Sequence, residues 1–200
     1  MVAILAIAVV LAYGRGIMAT YRSTAKPNCL SWVIWAGVDI VLIAASLKAA
    51  ESRSTIVLLA IYTAGAILLA IASWSNRSKL NKLEWVAVAT AILSIVGWAT
   101  TGNASVALGL IILAHLCGTV LTLKSVWLNP ESEDRAMWIL FTVGNIANLF
   151  AISWAGWQDW AFPVYESTAC LCVWLLTFRR RVLLREGPHG ETRSDPGPAT

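Results

Sequence analysis

Long apolar stretches follow one another along the whole chain, at about 1–21, 29–48, 54–74, 83–100, 104–123, 136–155 and 158–178, with only short polar breaks between them. A helix needs roughly 20 mostly apolar residues to cross a bilayer, so each stretch is about one span long. A helix also satisfies its own backbone N–H and C=O groups within the segment, which lipid demands. The spacing therefore predicts an all-α membrane protein of seven transmembrane helices. With 58% hydrophobic and 13% charged residues, and a mean hydropathy of +0.69, the chain has too few polar side chains for a water-facing surface. No room remains for a separate soluble domain. The opening run from Val2 to Leu11 has no basic segment before it and no small-residue cleavage site after Gly14-Arg15-Gly16, so it reads as the first span and not as a signal peptide.

With seven spans, successive loops lie on alternate sides, and lysine and arginine should gather on the cytoplasmic set. Arg15, Arg22 and Lys26 follow the first span, Arg77, Lys79 and Lys82 the third, Lys124 and Arg135 flank the loop after the fifth, and Arg179, Arg180, Arg181, Arg185 and Arg193 follow the seventh. Of the 15 basic residues, that leaves only Lys48 and Arg53 for the other side. The N-terminus is expected outside, the C-terminus in the cytoplasm. Arg15 falls in the last turns of the first span, so it must snorkel or face the protein interior. The net charge of +4 is explained by these anchors, and nucleic acid is not expected as a partner; the lipid bilayer is. The residues 181–200 combine Gly, Pro, Ser and charge, the composition of a disordered cytoplasmic tail.

The two ends of the chain resemble each other. Trp32, Asp39 and Ala45 in the second span match Trp138, Asn145 and Ala151 in the sixth at one constant spacing, and Tyr62-Thr-Ala-Gly-Ala66 in the third lies over Tyr165-Glu-Ser-Thr-Ala169 in the seventh. A polar turn with proline precedes each middle span, Lys26-Pro27-Asn28 and Asn129-Pro130-Glu131. The pattern divides the chain into a three-helix repeat (1–74), a linker helix (75–102), a second three-helix repeat (103–180) and the tail (181–200); an odd linker makes the repeats parallel.

This arrangement is similar to the SWEET and PQ-loop transporter superfamily, and the stretches from Tyr21 to Trp35 and from Lys124 to Pro130 resemble an uncharacterised bacterial seven-span branch of it. The resemblance implies a 3+1+3 fold, a bacterial inner membrane and a carrier that uses Asn and Trp side chains at its core. The Pro-Gln pair of the superfamily is missing, with Arg15 and Leu121 near where the prolines would fall, so a hinge built on them is not implied.

Ionisable groups inside a bilayer cost roughly 2.5–3.5 kcal/mol at a helix centre, so they usually face a cavity or a partner. Asp39 and Glu166 are the two that stand out, and both are candidates for coupling solute movement to protons. Trp32, Trp35 and Asp39 share one face of the second span, as Thr142, Asn145 and Asn148 do on the sixth. Together with Tyr62 and Tyr165 they form the candidate site, in which rings stack on a small polar solute and polar groups orient it. The opposing reading puts Trp32 and Trp35 in an interfacial belt, makes the asparagines interhelical hydrogen-bond partners, and pairs Asp39 with His115. Gly65, Ala66, Ala70 and Gly118 read as close-packing positions. Asn103-Ala-Ser105 is formally a glycosylation sequon, but its loop is very short. The Gly14–Ala19 pattern lacks the strand that a dinucleotide site needs. No lysine follows Lys124, which excludes a retinal protein. Neither a cofactor, a metal nor an enzyme activity is expected, and a homo-oligomer is admissible. The expected function is a carrier or facilitator for a sugar, amino acid, vitamin or cation; the alternative is a receptor or scaffold of the same fold.

Overall fold

The computed structural model describes residues 2–48, 53–77, 79–152 and 154–179. The tail 181–200 expected from composition lies outside them. Among the described residues there are seven α-helices and no strand: α1 (Val2–Tyr21), α2 (Cys29–Lys48), α3 (Arg53–Ala72), α4 (Lys82–Thr100), α5 (Ala104–Leu128), α6 (Arg135–Leu149) and α7 (Trp157–Leu176). Five of them, α1 to α5, are long and apolar enough to cross a membrane. Large apolar side chains stand exposed along their outer faces, for example Ile7 on α1 and Trp85, Val86 and Leu93 on α4, as suits a helical membrane protein.

The helix ends follow local chemistry. The Asn81 side chain accepts from the Leu83 and Glu84 amides, while Glu84 reaches back to the Asn81 amide, a reciprocal cap that starts α4. Asn103 caps α5 by accepting from the Ser105 and Val106 amides, so the asparagine of the sequon has a structural use. Asp134 caps α6 through the Met137 amide.

Two expected boundaries differ. α5 continues past 123 to Leu128, because nothing from Lys124 onward breaks a helix until Asn129-Pro130, and proline disfavours a helical residue before it. The sixth stretch, expected over 136–155, is helical for only 15 residues and then turns back, with the Ala151 and Ile152 amides donating to the Asn148 carbonyl. At about 1.5 Å per residue α6 is shorter than the roughly 30 Å hydrocarbon core. α7 has the length of a span but carries Asp159, Pro163 and Glu166.

α1 packs against α3 and α6, α2 against α3 and α5, and α7 against α5 and α6, while α4 lies on α5 and touches α2. One apolar core joins Leu5, Val9 and Tyr13 to Trp32, Leu69, Met137, Phe141 and Val173; a second joins Val38, Ala91, Ile111 and Ala114. The basic helix ends gather at one end of the bundle. There Arg15 forms a two-point pair with Asp134, at 3.2 Å in each contact, Arg135 donates to the Thr177 carbonyl, and Arg179 donates to the Trp127 carbonyl. Arg15 therefore neither snorkels alone nor enters the interior: it ties α1 to the cap of α6.

Small residues let the helices close. A Cβ on Gly118 would stand 2.7 Å from Trp35 Nε1, and one on Gly65 would fall on the Tyr13 ring. Tyr13 is itself held edge-on by Trp32, Tyr62 and Phe141, so it cannot swing away. Gly65→Ala is expected to cost about 1–3 kcal/mol by overpacking, read as a lower melting temperature of the purified protein; an unchanged value would show that the ring yields.

Candidate functional site

A cavity in two adjoining parts, one wider than the other, lies between the helices. Its wider part, about 150 Å³, is bordered by Leu42, Thr55, Asn148, Phe162 and Pro163, and its inner part, about 30 Å³, by Tyr13, Trp32, Trp35, Trp138 and Phe141. Asp39, Tyr62, His115 and Glu166 line both parts. The wide part lies toward the bundle end opposite the basic residues.

Each polar side chain is aimed by its helix. Tyr62 on α3 donates to Asn145 Oδ1 at 3.3 Å, and Asn145 Nδ2 donates to the Phe141 carbonyl at 3.0 Å, so that amide joins α3 to α6. Tyr165 lines neither part but stands behind α5, its hydroxyl 2.6 Å from Thr119 Oγ1 and 3.1 Å from His115 Nδ1. The same Nδ1 lies 3.6 Å from Glu166 Oε2. Among the described residues Asp39 has no hydrogen-bond partner although it is 6% exposed, which corrects the alternative that pairs it with His115. Pro163 sits inside α7 and lacks the N–H that would bond the carbonyl one turn earlier, beside the cavity mouth.

Trp32 and Trp35 are buried in the core, 2% and 7% exposed, so the interfacial-belt alternative does not hold. Their rings meet edge to face at 4.7 Å; Trp35 stacks on His115 at 5.5 Å and donates to the His115 carbonyl at 3.0 Å. Trp138 completes this aromatic floor, 6.2 Å from each of them. Below it the segment before α2 docks on the segment before α6: the Lys26 amide donates to the Ser132 carbonyl, and Trp138 Nε1 donates to Glu133 Oε2, both at 3.0 Å. Glu133 is 4% exposed, and burial pushes its carboxyl up to about 8 against the pull of Trp138 and the Asn28 backbone, which favour the charged form.

Seven of the eight sequence-predicted site residues therefore border one cavity, with Tyr165 supporting it through His115. His115, Tyr13, Phe141 and Trp138 were not among them. Trp138 carried a signal, as the counterpart of Trp32 in the repeat; Tyr13 and Phe141 carried none among so many apolar neighbours. No lysine or arginine lines the cavity, and no group of three or more potential metal ligands occurs among the described residues.

The fold and this cavity define a class: an apolar helical bundle with an aromatic-floored, carboxylate-bearing internal pocket. No protein-family model, curated protein or solved structure matches the chain.

Proposed function

We propose that the chain is a seven-span carrier or facilitator for a small polar solute, working by alternating access around the cavity. The observation that carries this reading is the pocket itself: among the described residues its wider part reaches Asp39 and Glu166, and its narrow part toward the basic end is lined by Trp32, Trp35 and Trp138. A site that is wider toward one end and narrowed by packed aromatic rings toward the other fits one half of an alternating-access cycle. Helix packing supports the 3+1+3 arrangement. Exchanging α1, α2 and α3 for α5, α6 and α7 turns the α1–α3, α2–α3 and α1–α6 contacts into α5–α7, α6–α7 and α5–α2, all of which occur, and α4 is left as the linker. That pattern is consistent with the likeness to SWEET and PQ-loop proteins. The gathered basic residues favour a cytoplasmic position for their end and an outside N-terminus, and the likeness, with the short loops, favours a bacterial inner membrane. Opening the sealed end requires the two three-helix units to rock apart at the docked segments around Lys26 and Ser132, with Pro163 a point where α7 can bend. No catalytic step is assigned.

A receptor or scaffold is the second reading, favoured by the small inner void of about 30 Å³ beneath which tryptophan fills the core. The two separate by ligand-dependent thermal stabilisation against sugars, amino acids, nucleosides, vitamins and amines. A carrier ligand at about 100 times its dissociation constant stabilises by roughly 2.7 kcal/mol, and the gain should disappear in Asp39→Asn and Asn145→Ala. No stabilisation by any solute transfers the weight to the receptor reading. Proton coupling through Asp39 and Glu166 has its own test: in proteoliposomes the Asp39→Asn, Glu166→Gln double variant should lose the pH dependence of uptake, and unchanged pH dependence would remove both carboxylates from the coupling step.

A further inference from the structure

Two carboxylates face one narrow cavity, and among its lining residues the single basic side chain is His115. Asp39 comes from α2 and Glu166 from α7, close enough to act on each other electrostatically. α1, α3 and α6 contribute Tyr13, Tyr62 and Asn145, none of them cationic, and from α5 comes His115, whose Nδ1 is 3.1 Å from the Tyr165 hydroxyl and 3.6 Å from Glu166 Oε2. At the basic end Arg15 is engaged by Asp134 and borders neither part of the cavity. A buried carboxylate is stabilised by a proton or by a counter-charge, and with no lysine or arginine among the lining residues a cationic solute would supply that charge when the carboxylates are ionised.

The walls select among cations. A hard metal ion needs six or more oxygen ligands or water-filled space, whereas this pocket offers two carboxylates and mostly rings and alkyl groups. An amino acid would carry its own carboxylate into a cavity with no cation to receive it. Aromatic rings border the same space, Tyr62 and Phe162 in the wider part and Tyr13, Trp35 and Phe141 further in, and such rings attract an alkylated nitrogen. Resting on the carrier reading, we propose that the solute is a small organoammonium ion without an anionic group, its nitrogen between Asp39 and Glu166 and its alkyl groups against those rings.

The test uses the purified full chain and tryptophan fluorescence, since Trp32, Trp35 and Trp138 border the site. Choline and ethanolamine are titrated beside glucose, glycine betaine and the neutral carbon isostere of choline. Saturable quenching is expected with choline or ethanolamine, at least about tenfold tighter than with the isostere or betaine. Glu166→Gln and Asp39→Asn should each weaken it about tenfold or more, while Glu166→Asp, which keeps the charge, retains most of it; helical circular dichroism identifies any variant that fails to fold. Equal binding of the isostere, or binding of glucose or betaine with none of the ammonium ions, overturns the proposal and leaves a carrier of neutral or zwitterionic solutes standing. Absence of binding across all five compounds overturns the proposal, and the carrier reading then stands or falls with the wider thermal-stabilisation panel.

Discussion

Replacing Trp138 by alanine is expected to lower the stability of the protein by about 3–5 kcal/mol, the largest single loss at any site position. Its ring is 3% exposed and touches Trp32, Trp35 and Phe141, so truncation leaves a void with no side chain free to fill it. In lipid there is no water to exclude between helices, so the cost comes from lost contacts and the remaining cavity. A second cost is polar: Glu133 loses the Trp138 Nε1 donor, and its other oxygen already has no partner among the described residues. Trp138→Phe separates the two, since it restores most of the packing but not the donor, and should cost about 1–3 kcal/mol. Thermal unfolding of the three proteins in one detergent reads the difference. Equal melting temperatures for the alanine variant and the parent would mean that the aromatic floor is loosely packed and does not seal the inner end.

The helices were legible where apolar runs are cut by polar residues. Cys29 and Lys48 bound α2 as expected, and α1, α3 and α4 end within two residues of their predicted limits. Hydropathy cannot see a turn made of apolar residues, which is why the sequence after Leu149 reads as helix although α6 ends there. Asp39 and Glu166 were legible because a carboxylate in an apolar run has few uses. Their neighbours were not. His115 is one histidine among seven helices, and only the α5–α7 contact brings it to Glu166 and Tyr165. Tyr13 enters the site because Gly65 opposite it has no side chain, a relation between two helices that no period within one helix records. Glu133 stands in the run Asn129-Pro-Glu-Ser-Glu-Asp-Arg135, which reads as a solvated loop; its burial follows from the docking of the segment around Lys26.

That burial makes stability depend on pH. The Glu133 carboxyl is pushed from 4.5 up to about 8 in the folded chain, so between these values the folded protein holds a proton that the unfolded chain has released. Stability is therefore greatest below about pH 4.5 as far as this group is concerned, falls as pH rises through the window, and levels off above about 8. The full loss is on the order of 4–5 kcal/mol for a group this buried. Glu133→Gln mimics the protonated acid in shape and can still accept from Trp138, but has nothing to titrate. Below pH 4.5 the variant and the parent should have similar stability; by pH 9 the variant should be the more stable, by up to that amount. The measurement is the difference in unfolding free energy between the two proteins at pH 5, 7 and 9, which cancels every other titrating group. A constant difference would mean that Glu133 is ionised throughout, held by a cation the docked segments supply. A difference that widens with pH would make the contact between the segments before α2 and α6 weakest in alkali, at the place where the proposed carrier would open its narrow end.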